Sequence, residues 1–246
     1  MTSKANFLRY YAKSKRQRAE RVFCLQIGAN DGITYDPVHE FFRDYGWYGL
    51  LLEPQKDVYE LGLCKTYAGN DRVILENVAL GKTEGELPFY RISITRSIWA
   101  TGLSGFDRRN IEEHIENGYI QNKAREEGIE LPRDIGEIIE TVSVPTTTLG
   151  RLLTKYSISK VDVVCIDTEG YDFEILKMID FNTLSPEVIL FESKNLPDSE
   201  FISATELLAR MEYELFWERG DTLAIKYPYP FLQKTVGWIT AFFKKL

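Results

Sequence analysis

Val22-Phe23-Cys24-Leu25-Gln26-Ile27-Gly28-Ala29-Asn30-Asp31-Gly32 is an apolar, β-prone run that stops at a loop of two glycines and two small polar residues. Asp36-Pro37 follows, an acid placed to cap a helix with proline at its first helical position. A buried strand, a tight glycine turn and a helix start in that order form the unit from which doubly wound α/β domains build a nucleotide pocket.

The glycine spacing is G-x-x-x-G rather than G-x-G-x-x-G, and the loop carries an acid. A pyrophosphate needs bare backbone N–H groups and would be repelled by Asp31. A cofactor with an adenosine and a cationic amino-acid end meets no such repulsion, and S-adenosylmethionine fits that description. The spacing and Asp31 together oppose the rival on this fold, an NAD-dependent oxidoreductase.

Outward from the loop, Val38, Phe41, Phe42 and Tyr45 fall on one helical face, Trp47–Leu52 is a second strand ending at Glu53-Pro54, and Asp57–Cys64 is helical. Arg72–Ala79 is expected as a third strand and Leu87–Ile94 as a further short one, with turn chemistry over Gly81–Gly85. Residues 95–140 are polar and charged and lose the alternation, so they are expected as an insertion or lid. Thr141–Val144 is short and β-prone, and Leu149, Leu152, Leu153 and Tyr156 restore a helical stripe. Val161–Ile166 is a second wholly apolar strand, stopping at Asp167-Thr168-Glu169-Gly170, with a helix marked by Phe173, Leu176 and Ile179. Val188–Phe191 ends at Glu192, Ala204–Met211 is helical, and Tyr213–Trp217 with Thr222–Tyr227 reads as a terminal hairpin. Continuous apolar strands alternating with helices imply an α/β fold: a doubly wound, mostly parallel sheet covered on both faces, closed by an antiparallel β-hairpin.

Residues 1–21 carry seven Lys/Arg against one Glu, so the rest of a chain of net charge −7 stands at −13. The N-terminus reads as a basic, solvated helical extension, although its scarcity of acids faintly suggests a transit peptide. The acidic body offers no basic stripe for nucleic acid. Cys24, Cys64 and Cys165 form no C-x-x-C, as expected of reduced thiols in the cytoplasm, and no apolar run approaches the ~18 residues of a membrane span. Over 228–246, Leu232, Val236, Ile239, Phe243 and Leu246 share a helical face beside Lys234, Lys244 and Lys245. Such a helix docks on the domain or a second subunit, or lies peripherally on the inner face of a membrane.

Candidate site residues gather where strands end. Gly28, Asn30, Asp31 and Gly32 form the cofactor loop, and Glu53 at the end of the second strand can accept the hydroxyls of a ribose. Asn77, Val78 and Ala79 end the third strand and would flank an adenine. Asp167, Glu169 and Glu192 follow later strands, and three carboxylates at one edge allow general-base work on a hydroxyl, a divalent cation, or simple helix capping. His114 in the insertion is a further candidate base, while His39 reads as structural. Trp99, Phe106 and Tyr119 either line an acceptor pocket or pin the insertion to the body.

These pieces resemble the FkbM-type S-adenosylmethionine-dependent methyltransferases. The likeness is carried by Gln26 to Gly32, Leu52-Glu53-Pro54, Asn77-Val78-Ala79-Leu80-Gly81, Val144-Pro145-Thr146-Thr147-Thr148-Leu149, Ile166 to Tyr171, and Ile189-Leu190-Phe191-Glu192-Ser193, in the family's order across roughly residues 22–227. The resemblance implies a class I methyltransferase (Rossmann-like) fold, O-methylation of a sugar, polysaccharide or glycosylated small molecule, and cofactor binding at Gly28, Asn30, Gly32 and Glu53. It makes Asp167 to Gly170 the active edge. Many members carry an acid where this chain has Gln26, which would hold the cofactor's ammonium group, so here the ammonium leans on Asp31 or backbone carbonyls. The insertion at 95–140 matches no pattern carried by the resemblance, and the acceptor is expected to contact it. A non-catalytic scaffold of the same fold is the alternative reading.

Overall fold

A computed structural model describes residues 3–226, and the amphipathic helix expected over 228–246 lies outside the described residues. The chain begins with α1 (Lys4–Gln17), then β1 (Phe23–Ile27), α2 (His39–Asp44) and β2 (Tyr48–Leu52). The expected helix after β2 is a composite: α3 (Lys56–Val58), a π turn over Tyr59–Leu63, and α4 (Cys64–Thr66). β3 (Val73–Glu76), β4 (Ala79–Leu80) and β5 (Gly85–Ile92) follow. The insertion holds α5 (Ile98–Thr101), α6 (Arg108–Glu116), α7 (Tyr119–Glu127) and a 3-10 turn over Ile135–Ile138. β6 (Ile139–Thr147), α8 (Leu149–Lys155), β7 (Val163–Ile166), α9 (Asp172–Met178), β8 (Val188–Glu192), α10 (Asp198–Arg210), β9 (Tyr213–Glu218) and β10 (Asp221–Lys226) complete the chain.

Seven strands form the main sheet in the order β3-β2-β1-β7-β8-β10-β9. The first five are parallel, and β10 runs antiparallel to both β8 and β9 as the terminal hairpin requires. Strand order reverses between β1 and β7, which opens a crevice at the carboxyl ends of those two strands.

The apolar runs are continuous because each strand faces two cores, odd and even residues turning opposite ways. Leu25, Ile27, Leu50, Leu52, Val164, Ile166, Ile189 and Phe191 pack with α8, α9 and α10. Cys24, Leu51, Val163, Cys165 and Leu190 pack with α1, α2 and the π turn.

Two expectations need correction. α1 is not a solvated extension: Phe7, Leu8, Tyr11 and Ala12 are buried in the second core, and Lys15 is buried with its ammonium between Glu20 and Glu187. Arg9, Lys13 and Arg16 occupy the outer face, because Leu8, Tyr11, Ala12 and Lys15 recur at helical spacing on the inner one. Leu8→Ala is therefore expected to cost about 2–5 kcal/mol in urea unfolding, where a solvated helix would lose less than about 0.5 kcal/mol. The expected strand Arg72–Ala79 breaks after Glu76, and Ala79 joins a separate sheet of order β4-β6-β5. That sheet extends Thr141–Val144 to nine residues, Ile139–Thr147, paired antiparallel with β5.

Residues 95–140 are helical as well as polar. Ala100, Leu103, Ile111, Ile120 and Ile138 close a small core against Ile92 and Ile139, so the insertion hangs from the β5–β6 hairpin as a packed unit. Among the described residues no helix is long and apolar enough to cross a membrane.

Candidate active site

β1 delivers the glycine loop to the crevice. The N–H groups of Gly28 and Ala29 both donate to the Leu52 carbonyl, at 3.1 and 2.9 Å, which turns the chain sharply off the sheet. Gly28 has φ +82°, and a Cβ there would lie 1.8 Å from the Asp167 carbonyl oxygen. Gly32 has φ +71°, and a Cβ there would strike Leu63 and Tyr67 at 2.6 and 2.7 Å. Both positions therefore require glycine for the loop's own packing.

The structure assigns definite partners to the other predicted cofactor residues. Asp31 folds back on its loop, accepting from the Ile33 and Thr34 N–H groups and the Thr34 hydroxyl. Gln26 is buried and donates through Nε2 to Asp36 at 2.9 Å, while its Oε1 is buried with no hydrogen-bond partner among the described residues. Asp36 caps one turn early, accepting from Val38 and His39 N–H groups, and the helix proper starts at His39. Burial outweighs these bonds and holds the Asp36 carboxyl above its ordinary value. His39 sits 3.3 Å from the Tyr67 hydroxyl, a structural contact.

Glu53 is 3% exposed and accepts from the Asn30 N–H at 2.9 Å and the Gln55 N–H at 2.8 Å. Burial raises its carboxyl to about 7 against the pull of those two donors. Asn77 donates to the carbonyls of Glu53 and Pro54, bracing the exit of β2. Val78 and Ala79 are buried, Val78 in the first core and Ala79 in the small sheet with Phe89 and Val144.

The carboxylates converge. Asp167, Glu169 and Glu192 each place an oxygen within 4.8 Å of the others. Sequence reasoning missed what holds them. Asn195 Nδ2 donates to Glu169 Oε2 at 2.7 Å and to Glu192 Oε2 at 2.8 Å, and Asn110 from α6 donates to the same Glu169 oxygen at 3.1 Å. Lys194 Nζ lies 2.5 Å from Glu192 Oε1. Lys194 and Asn195 were visible only as residues just past a strand end, and Asn110 lay in an unassigned insertion. Asp172, wholly buried, accepts from the Thr168 N–H, the Thr168 hydroxyl and the Glu192 N–H, tying the loops after β7 and β8 together. Glu169 itself has φ +52°, a conformation that costs a non-glycine residue about 1–3 kcal/mol.

Crowded acids resist ionising together. Burial and the charge of Glu192 raise both Asp167 and Glu169 well above the usual carboxylate range. Asp167 is reached by solvent yet ringed by protein. Burial and Glu192 lift Asp172 to about 7. Burial lowers the Lys194 ammonium, but the bond to Glu192 and the charges of Glu169 and Asp167 outweigh it and hold it above its ordinary value. Lys194 thus already occupies one face of the set from which a cation would be held. His114 lies within electrostatic reach of Lys194 and Glu192, and burial, then the Lys194 charge, push it below its usual value.

Of the insertion aromatics, Phe106 pins the insertion to the body, whereas Trp99 and Tyr119 pack on each other within it. Phe106 packs edge-on against Phe89 and Tyr171, with centroids 5.4 and 5.2 Å apart, and Trp99 meets Tyr119 at 6.4 Å. A groove of about 650 Å³ between α1 and α2, lined by Arg9, Lys13, Arg16 and Glu40, contains none of the predicted site residues.

A family model described as the methyltransferase FkbM domain matches residues 26–221, from the strand before the glycine loop to the first residue of β10. The chain belongs to the FkbM methyltransferase domain family. The fold is the class I methyltransferase architecture, a mixed sheet with antiparallel C-terminal strands. Among solved structures, methyltransferase FkbM from Methylobacillus flagellatus KT is 10% identical with a TM-score of 0.49, covering 83% of this chain and 43% of that one. The N-terminal domain of human METTL16 in complex with SAH is 12% identical with a TM-score of 0.43, covering 91% and 70%. Precorrin-6y C5,15-methyltransferase from Geobacter metallireducens GS-15 is 12% identical with a TM-score of 0.41, covering 92% of each. No curated protein matches the chain. This FkbM domain thus spans less than half of the Methylobacillus chain.

Proposed function

We propose that this domain transfers a methyl group from S-adenosylmethionine to a hydroxyl oxygen of a sugar or glycosylated acceptor. The observation that carries the reading is the direct contact between the two halves of the site. Gly28 lies against the Asp167 carbonyl, so a ligand on the glycine loop faces the Asp167, Glu169 and Glu192 cluster.

The residues present suit the cofactor. Gln26 Oε1 is a buried acceptor in need of a donor, as an ammonium group supplies. Gly28 and Gly32 keep side chains off the loop. Glu53 has lone pairs beyond its two N–H partners for ribose hydroxyls. When bound, the sulfonium supplies the methyl group for in-line displacement by an acceptor oxygen.

The rest of the chemistry falls to the chain. Orienting acceptor and methyl donor can remove ~7–11 kcal/mol of barrier, whereas a general base adds about 10²–10⁴-fold. Glu169 suits the base role, because burial and the charge of Glu192 hold its carboxyl above the usual carboxylate range and so make it a stronger base than a free carboxylate. Asn110 and Asn195 aim one of its oxygens, and Lys194 keeps a positive charge beside Glu192. A polyhydroxylated acceptor suits an edge rich in carboxylate and carboxamide groups, and the family resemblance supports a glycan. The unpaired Cys24, Cys64 and Cys165 suit a reducing compartment such as the cytoplasm.

The test is to incubate the protein with methyl-labelled S-adenosylmethionine and cell-envelope or small-molecule glycans and hydrolyse the products. Label recovered as an O-methyl sugar supports the proposal, and label recovered only on nitrogen, or on no sugar, refutes it. Glu169→Gln is expected to bind S-adenosylhomocysteine within about twofold of wild type while transfer slows about 10²–10⁴-fold. Undiminished turnover would remove Glu169 from the mechanism.

A further inference from the structure

We infer that Thr101, which belongs to the insertion, is a positioning residue of the cofactor loop. The inference rests on the cofactor reading above. Four residues from three separate parts of the chain close a hydrogen-bonded ring. The Asn30 N–H donates to Glu53 Oε2 at 2.9 Å, and the Gln55 N–H donates to Glu53 Oε1 at 2.8 Å. Gln55 Nε2 donates to the Thr101 carbonyl at 3.1 Å, and the Thr101 hydroxyl donates to Asn30 Oδ1 at 3.2 Å. Glu53, Gln55 and Thr101 are all buried, so water offers no ready substitute for a broken link.

Asn30 is the member under conformational tension. Its φ is +46°, in the left-handed region that asparagine tolerates best among non-glycine residues. Its side-chain oxygen is held by a hydroxyl 71 positions downstream. The shape of the loop between Gly28 and Gly32 is therefore set partly by the insertion. The Asn30 side chain also packs beside the next residue, since a Cβ on Gly102 would lie 3.7 Å from Asn30 Nδ2. The same stretch continues to the acids: a Cβ on Gly105 would lie 3.4 Å from the Thr168 carbonyl oxygen, and Asn110 donates to Glu169. Residues 101–110 thus span the crevice from cofactor loop to acid cluster.

The plainer alternative is that Thr101 only anchors its own turn, since its hydroxyl also lies 3.3 Å from the Ile98 carbonyl. Calorimetric titration of the full chain with S-adenosylhomocysteine, alongside melting without ligand, separates the two. Thr101→Val removes the hydroxyl at nearly constant volume. It is expected to raise Kd about three- to tenfold, with a ligand-free melting temperature about 2–4 °C below wild type, the worth of one buried hydrogen bond in a domain of this size. Thr101→Ser restores the hydroxyl and is expected to bind within about twofold of wild type. An unchanged Kd in Thr101→Val overturns the inference. So does a loss of ligand-free stability well beyond that of one hydrogen bond, which would mean that the turn itself unfolds, or a serine variant as weak as the valine one. Failure of wild type itself to bind S-adenosylhomocysteine overturns the cofactor reading, and this inference with it.

Discussion

Gly28→Ala is expected to destabilise the domain by about 3 kcal/mol or more and to abolish S-adenosylhomocysteine binding. Two costs add. A φ of +82° strains any residue with a Cβ, by about 1–3 kcal/mol. The new methyl also lands 1.8 Å from the Asp167 carbonyl oxygen and 2.9 Å from its carbon. That overlap is relieved only by parting the strand ends where the Asp167 N–H bonds the Ile27 carbonyl at 2.9 Å, an overpacking cost of about 1–3 kcal/mol more. From sequence alone, a side chain at this position would intrude on the cofactor. The structure assigns the collision to the neighbouring strand's backbone, so stability and binding fail together. Urea unfolding beside calorimetry checks this. An unchanged urea midpoint, with or without lost binding, would contradict the packing argument.

Glu53 sets the second large effect, through pH. Burial raises its carboxyl from 4.5 to about 7. A folded value above the unfolded one means that the group's contribution to stability is fully present below about 4.5 and is lost as pH rises through about 7. Glu53→Gln lacks this titration. The stability of wild type relative to Glu53→Gln is therefore expected to fall across that window by up to about 3 kcal/mol. The offset between the two proteins also contains the altered bonds to Asn30 and Gln55, so the slope is the quantity to read. Asp172 titrates in the same range with the same sign but is present in both proteins and cancels. Ribose hydroxyls donating to Glu53 favour its ionised form. Affinity for S-adenosylhomocysteine should then rise with pH through about 7 in wild type and stay flat in Glu53→Gln. A pH-independent stability difference would show that Glu53 does not titrate in this range.

The doubly wound sheet was legible because its strands are buried on both faces and announce themselves as apolar runs, and because Gly28, Glu53, Asp167 and Glu192 all follow such runs directly. The same signal misled at Arg72–Ala79, where an unbroken β-prone stretch serves two sheets with Asn77-Val78 as the crossing point. α1 was misjudged because charge outweighs a four-residue apolar face in composition, although Phe7, Leu8, Tyr11 and Ala12 alone decide its burial. The acids were visible, their restraints were not. Asn110, Asn195 and Lys194 matter through geometry that no local pattern encodes, and Thr101 reaches Asn30 only because the insertion folds back over the loop.

The central claim is that the crevice between β1 and β7 accepts an adenosyl amino acid rather than a dinucleotide. Calorimetric titration of the wild-type chain with S-adenosylhomocysteine and, separately, with NAD tests it most directly. The account predicts a single saturable site for S-adenosylhomocysteine, undisturbed by excess NAD. Saturable binding of NAD in the absence of any for S-adenosylhomocysteine would contradict it.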